Sequence, residues 1–152
     1  MRYQIAAFAD EADAAISGQI EAMRAEHISL LEIRGVDGKS VADLTVPEAK
    51  ALRARLADEG IAVWSVGSPY GKSEVTEAFG LRLDEFRHGL ELAEALGASH
   101  IRLFSFYLPR GEAPETFRDE VLDRLSRFCE AAKGSGIVLC HENEKGIYGD
   151  VA

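Results

Sequence analysis

The sequence predicts an α/β fold, a parallel sheet of five strands with four helices between them. Three observations carry that prediction. Apolar runs of strand length alternate with stretches whose apolar residues recur every three to four positions, and regular alternation of this kind makes βαβ crossovers. Glycine marks the return from helix to strand in three of the units, at Gly60, Gly97 and Gly134, the place where helices commonly end on a left-handed residue. Charges also interrupt the strands with period two: Glu32 and Arg34 share one face against Leu31 and Ile33, and Arg102 stands against Ile101 and Leu103. One face of the sheet therefore packs on helices and the other does not.

Residues 3–9 form the first strand, near-continuously apolar from Ile5. Asp10, Glu11 and Asp13 then offer caps for a helix running to about Glu26, with Ile16, Ile20 and Met23 as its buried stripe. Residues 28–33 are the second strand, and 34–39 are a loop with two glycines. Thr45 and Glu48 have the spacing of a capping box with an early proline, Pro47, opening a helix that buries Ala49, Leu52 and Leu56. The third strand, 61–66, leads into the loop 67–72. Leu83, Phe86, Leu90 and Ala93 then keep helical spacing up to Gly97. The fourth strand spans 100–105. A linker around Pro109 reaches a fourth helix with Phe117, Val121, Leu125, Phe128 and Ala132 on one face, and the fifth strand spans 137–141.

The sequence stops at Ala152, about ten residues past the fifth strand and without a helix to cover it. A doubly wound domain normally finishes on such a helix, whereas a (β/α)8 barrel needs roughly 250 residues. The expected architecture is the N-terminal half of a (β/α)8 barrel, strands in the order 1-2-3-4-5. A doubly wound sheet is the alternative. On a barrel the charged strand face lines the lumen, where Glu32 is placed to pair with Arg102 or Arg34. The other reading is sheet-edge charge in solvent.

At 152 residues and 47% hydrophobic, the chain suits one domain with a proper core. A net charge of −9 repels a phosphate backbone, and no basic cluster with interleaved aromatics offsets it, so nucleic acid is not an expected partner. Cys129 and Cys140 have neither metal-ligand spacing nor the density of a disulfide scaffold, which fits a reducing cytoplasm. The N-terminal apolar run is too short, and too quickly followed by Asp10 and Glu11, for a signal peptide or a span; no membrane is expected.

The stretch 139–146, Leu-Cys-His-Glu-Asn-Glu-Lys-Gly, turns from apolar to polar within one residue where the fifth strand runs out. Parallel α/β sheets place ligands and metals at that end of their strands. Glu142 is thereby the first candidate for chemistry. Glu144 shares its face if the strand continues, and alternation turns His141 the other way. The plainer alternative is a solvated acidic loop. Asp10 and Glu11 at the exit of the first strand resemble the acidic pair of response-regulator receiver domains, but the third strand ends in Val66, Gly67 and Ser68, with no acceptor aspartate; capping is the expected job of Asp10 or Asp13. The loop 67–72 lacks P-loop spacing and Pro69 removes a backbone donor, so it is expected to line a pocket and not to cradle phosphate. No nucleophile elbow or Cys–His pairing is present.

Taken together, Phe8-Ala-Asp-Glu11, the run 31–39, Ser65-Val-Gly-Ser-Pro69, Ile101-Arg-Leu-Phe-Ser-Phe106 and His141-Glu-Asn-Glu-Lys-Gly146 resemble the sugar phosphate isomerase/epimerase family of xylose isomerase-like TIM barrels. The resemblance covers the whole chain and the first half of the family's fold. It implies a divalent metal (Mn, Mg, Co or Zn) held by a glutamate at the end of strand five, an aspartate after strand six, a histidine after strand seven and a glutamate after strand eight. Only the first has a counterpart here, Glu142, which the resemblance makes both ligand and proton-exchanging base for a small sugar, sugar phosphate or related hydroxy-carbonyl compound. Arg34, Ser68, Ser105, Asn143 and Glu144, within the matching stretches, are the implied substrate contacts. Epimerase relatives carry a second glutamate six residues on, where this chain has Tyr148. The zinc endonucleases of the superfamily need several strand-end histidines and a basic face, which this chain lacks. The chain is thus expected to hold only part of a site, and either to self-associate through the edges of its first and fifth strands or to pair with a missing C-terminal half. The alternative function is a non-catalytic binding or scaffold domain on the same fold, or a doubly wound receiver-like regulatory domain.

Overall fold

The computed structural model of the protein describes residues 3–149. Its main sheet contains β1 (Ala6–Ala7), β2 (Leu30–Ile33), β5 (Ala62–Gly67), β6 (His100–Leu103) and β7 (Val138–His141), in the order β1-β2-β5-β6-β7. All four pairings are parallel. The sheet strands thus stand side by side in chain order. A doubly wound sheet reverses direction at a switch point, so this sequential order is that of a barrel, half built. The helices α1 (Ile16–Ala25), α2 (Val46–Asp58), α3 (Phe79–Leu96) and α4 (Arg118–Ala132) fill the crossovers, and right-handed crossovers in sequential order put them on one side of the sheet.

Burial follows the same division. Leu31, Ile33, Val63, Ile101 and Leu103 join the core beneath the helices, while Leu30, Glu32, His100 and Arg102 on the other face are only partly covered. Four phenylalanines lock α3 and α4 to the end of β6: the Phe128 ring lies 4.5 Å from Phe86, 5.1 Å from Phe79 and 6.1 Å from Phe106.

Local signals act as expected at α2, where Thr45 Oγ1 accepts from the Glu48 amide and Glu48 Oε2 accepts from the Thr45 amide, the reciprocal pair of a capping box. Three expectations need correction. Asp10 does not cap α1; it lies in a short 3-10 turn, Ala9–Glu11, and binds Arg34. Instead the first amide of α1, at Ile16, donates to Asp37 Oδ1 from another loop, and Asp13 accepts only from Ala15. The stretch after β2 is also more ordered than a loop. It folds into the antiparallel hairpin β3 (Gly35–Val36) and β4 (Lys39–Ser40), whose turn residues Asp37 and Gly38 have φ of 52° and 78°, the Asp-Gly pair that tight hairpins prefer. β1 is shorter than expected: it has one neighbour, and Tyr3 and Ile5 before it are 84% and 69% exposed. Among the described residues, no helix is long and apolar enough to cross a membrane.

Candidate functional site

The strands end together, and the side chains that leave them on the helix-free face form one polar cluster. β6 contributes Arg102, which is 14% exposed, and β2 contributes Glu32, 17% exposed. Glu142 follows β7 directly. Its amide still donates to the Leu103 carbonyl, so the sheet register extends through it. Its carboxylate, 43% exposed, accepts from Arg102 Nη1 at 2.9 Å. The Arg102 guanidinium lies 5.3 Å from the Phe8 ring and 5.1 Å from the Phe104 ring, within the range where an aromatic face attracts a cation. Burial pushes the Glu32 carboxyl above its ordinary value, and neighbouring Glu142 pushes the same way, against the pull of Arg102.

Arg34 sits beside this cluster, held by two carboxylates. Nε and Nη2 both donate to the Asp10 carboxylate, and Nη2 also reaches Glu11 Oε1 at 3.0 Å. The bond from Asp10 raises the arginine's already high pKa, so its charge is permanent.

A second polar cluster forms from the next loops. The chain after β5 pairs with the chain after β6 through Phe104 N to Tyr70 O, Phe106 N to Gly71 O and Tyr107 N to Ser73 O. The two backbones run so close that a Cβ on Gly71, φ 85°, would fall 2.1 Å from the Phe104 carbonyl oxygen, so only glycine fits. This apposition brings Lys72 Nζ within 2.6 Å of Glu144 Oε2 and 4.3 Å from the centre of the Phe104 ring. Tyr107 donates its hydroxyl to Glu144 Oε1. Lys72 holds the Glu144 carboxyl below its usual range, and desolvation followed by the Glu144 contact holds the Tyr107 phenol above its own.

Of the residues expected to bind substrate, Arg34, Asn143 and Glu144 lie at the strand ends with Glu142, and Asn143 is exposed. Ser68 and Ser105 are 1% and 2% exposed. The Ser68 hydroxyl donates to the Arg102 carbonyl and that of Ser105 to the Tyr148 carbonyl, so both fasten the loops that frame the cluster. His141, turned away from Glu142 as alternation predicts, makes a 2.9 Å contact with Ser105 Oγ. Because a hydroxyl has a single proton, and Ser105 gives it to Tyr148, His141 must donate from Nε2. Lys72, Tyr107, Phe8 and Phe104 were not anticipated: their partners are far away in sequence, and no local spacing signals them.

The donor set does not by itself fit a divalent ion. Among the described residues no three His, Cys, Asp or Glu side chains gather to hold one, and the exposed carboxylate of Glu142 faces a guanidinium. Hard cations ask for six or more oxygens. A hollow of about 600 Å³ lined by Ser40, Asp43, Tyr70, Arg82 and His88 opens between the hairpin, the loop after β5 and α3; Glu142, Arg102 and Arg34 do not line it.

Residues 25–150 match the family model described as xylose isomerase-like TIM barrel. No curated protein matches the sequence significantly. Among solved structures the chain is similar to the probable 3-DHS dehydratase AsbF, involved in petrobactin synthesis, from Bacillus anthracis, with a TM-score of 0.73 at 14% identity over 97% of this chain and 54% of that one. It is similar to the IOLI protein with a bound zinc atom, TM-score 0.71 at 13% identity over 97% and 54%. A sugar phosphate isomerase/epimerase from Parabacteroides distasonis ATCC 8503 follows, TM-score 0.68 at 17% identity over 93% and 51%. At these identities the likeness is one of fold. The chain spans about half the length of the structures it matches.

Proposed function

The chain belongs to the xylose isomerase-like TIM barrel family, and from that membership we propose that it carries the Glu142 half of an isomerase or epimerase site for a small sugar, sugar phosphate or related hydroxy-carbonyl compound, working in the cytoplasm. The observation that carries the proposal is the address of Glu142. It is a half-exposed carboxylate on the helix-free face at the end of a parallel strand, where barrel enzymes keep their reacting groups.

In this proposal Glu142 takes the proton from the carbon next to the substrate carbonyl, leaving an enediolate; a proton returned to the other face of that carbon completes epimerisation, and one returned to the neighbouring carbon, with the hydroxyl proton passing to the former carbonyl oxygen, completes isomerisation. Arg102 fixes the direction of the carboxylate. Arg34, Asn143 and Glu144 contact the hydroxyls or phosphate of the substrate, and Ser68 and Ser105 serve by holding the surrounding loops. A divalent ion, as in the zinc-bound IOLI protein, requires donors beyond those that the described residues gather, supplied by a C-terminal half or a second copy. Glu142 would be its ligand from this chain.

The test, with the site completed by the C-terminal half or by a second copy, is turnover of a panel of ketoses, aldoses and their phosphates, followed by NMR with added Mn, Mg, Co or Zn, together with metal analysis of the protein and of Glu142→Gln. Interconversion of a panel member, and loss of both metal and turnover in the variant, are expected. Equal bound metal and equal turnover in the two proteins would overturn the role of Glu142. No metal and no turnover in either would favour a non-catalytic binding domain on the same fold.

A further inference from the structure

Arg102 is shared unequally between two carboxylates. Its Nη1 binds Glu142 Oε2 at 2.9 Å, while its Nε stands 3.9 Å from Glu32 Oε1, close enough for ionic attraction and too far for a hydrogen bond. That Nε is buried and has no hydrogen-bond partner among the described residues. An unmade bond on a buried charged group is costly, so the guanidinium has a reason to move if Glu142 lets it go. The gap to Glu32 closes with a shift of about 1 Å.

The surroundings permit such a shift. Arg102 lies near the faces of Phe8 and Phe104, contacts that hold a cation without fixing its rotation. Beside it is Gly67, where a Cβ would sit 3.3 Å from Arg102 Nη2 and 2.7 Å from Arg34 Cγ. Arg34 offers the contrast. Its Nε and Nη2 are held by hydrogen bonds to Asp10, and Nη2 also by one to Glu11, so its Nε already has the partner that the Nε of Arg102 lacks.

We infer that Glu32 and Arg102 are positioning residues for Glu142: in the free protein Arg102 holds the Glu142 carboxylate in place, and when Glu142 engages a ligand the guanidinium transfers to Glu32. The consequence for turnover rests on the proposed role of Glu142, whereas the transfer itself does not. Glu32 gives the displaced cation a partner, so Glu142 is released without stranding a buried charge, the event that makes breaking such pairs unfavourable.

The experiment reads the Arg102 Nε–H by ¹⁵N–¹H NMR in the intact protein. Removing the charge at residue 142 with Glu142→Gln mimics its engagement. The Nε–H is expected to move downfield and to exchange with solvent about tenfold more slowly, the gain from one new hydrogen bond. The double variant Glu32→Gln, Glu142→Gln should abolish the slowing, and adding Gly67→Ala to Glu142→Gln should reduce it by crowding the guanidinium. An Nε–H that exchanges equally fast in Glu142→Gln and wild type overturns the inference, as does slowing that persists without Glu32. Where turnover is measurable, Glu32→Gln should lower kcat with KM little changed, and Glu32→Asp should recover part of it. Absence of turnover across the panel would count against the proposed function and leave the NMR result to decide the transfer.

Discussion

Replacing Ser105 by alanine should loosen the segment that carries Glu142. Ser105 is 2% exposed at the end of β6, and its hydroxyl joins two elements, donating to the Tyr148 carbonyl and accepting from His141 Nε2. Alanine leaves both partners unmatched. His141 is exposed and can turn to water, so its loss is small. The Tyr148 residue is half-buried, with its amide already donating to Phe106, and its carbonyl loses the Ser105 hydroxyl. A buried acceptor left unmatched costs about 1–3 kcal/mol. For a chain of this size that lowers Tm by roughly 2–10 °C. Calorimetry gives the global effect, and hydrogen exchange should show faster exchange confined to residues 142–149, with α2 unchanged. A Tm within about 1 °C of wild type, with unaltered exchange after β7, would refute the assignment of Ser105 as the fastener of this loop.

Thr45→Ala removes the capping box of α2 and should cost about 1 kcal/mol in urea unfolding, with Thr45→Ser retaining most of the stability. The Glu48 carboxyl is lowered to about 2, chiefly by its bond with Lys39. A lowered folded-state value means its stabilising effect is complete above the unfolded carboxylate range and fades as pH falls toward 2, so the Tm difference between wild type and Glu48→Gln should be present at neutral pH and vanish in that acid window. Phe128 is 1% exposed and packed against Phe79, Phe86 and Phe106; Phe128→Ala should cost about 3–5 kcal/mol, whereas Phe128→Leu, which fills much of the space, should cost clearly less.

What could be read from the sequence was what repeats or lies close by. The order of the sheet strands follows from alternation, because short crossovers with one handedness leave few topologies. Glu32 and Arg102 share a face by strand alternation alone, as do Arg102 and Glu142 once β6 and β7 are paired in register. The capping box at Thr45 is a local contract between residues three apart. Asp10 was misread because acidic residues after a strand usually cap the next helix, and here Arg34, a long-range partner, binds it instead. The Asp37–Gly38 turn was a legible hairpin signal, but strands of two residues each carry no alternation to flank it. Ser105 with Tyr148, and Lys72 with Glu144, join residues separated by whole elements. Only the folded backbone brings those together.

Deuterium wash-in tests the role of Glu142 most directly. In D2O, a substrate that the protein isomerises should gain deuterium at the carbon next to its carbonyl. Glu142→Gln should slow that exchange by about 10²–10⁴-fold, the range expected for loss of a general base, while its Tm stays close to that of wild type because the side chain is 43% exposed. Exchange at the wild-type rate in a folded Glu142→Gln protein would contradict the central claim.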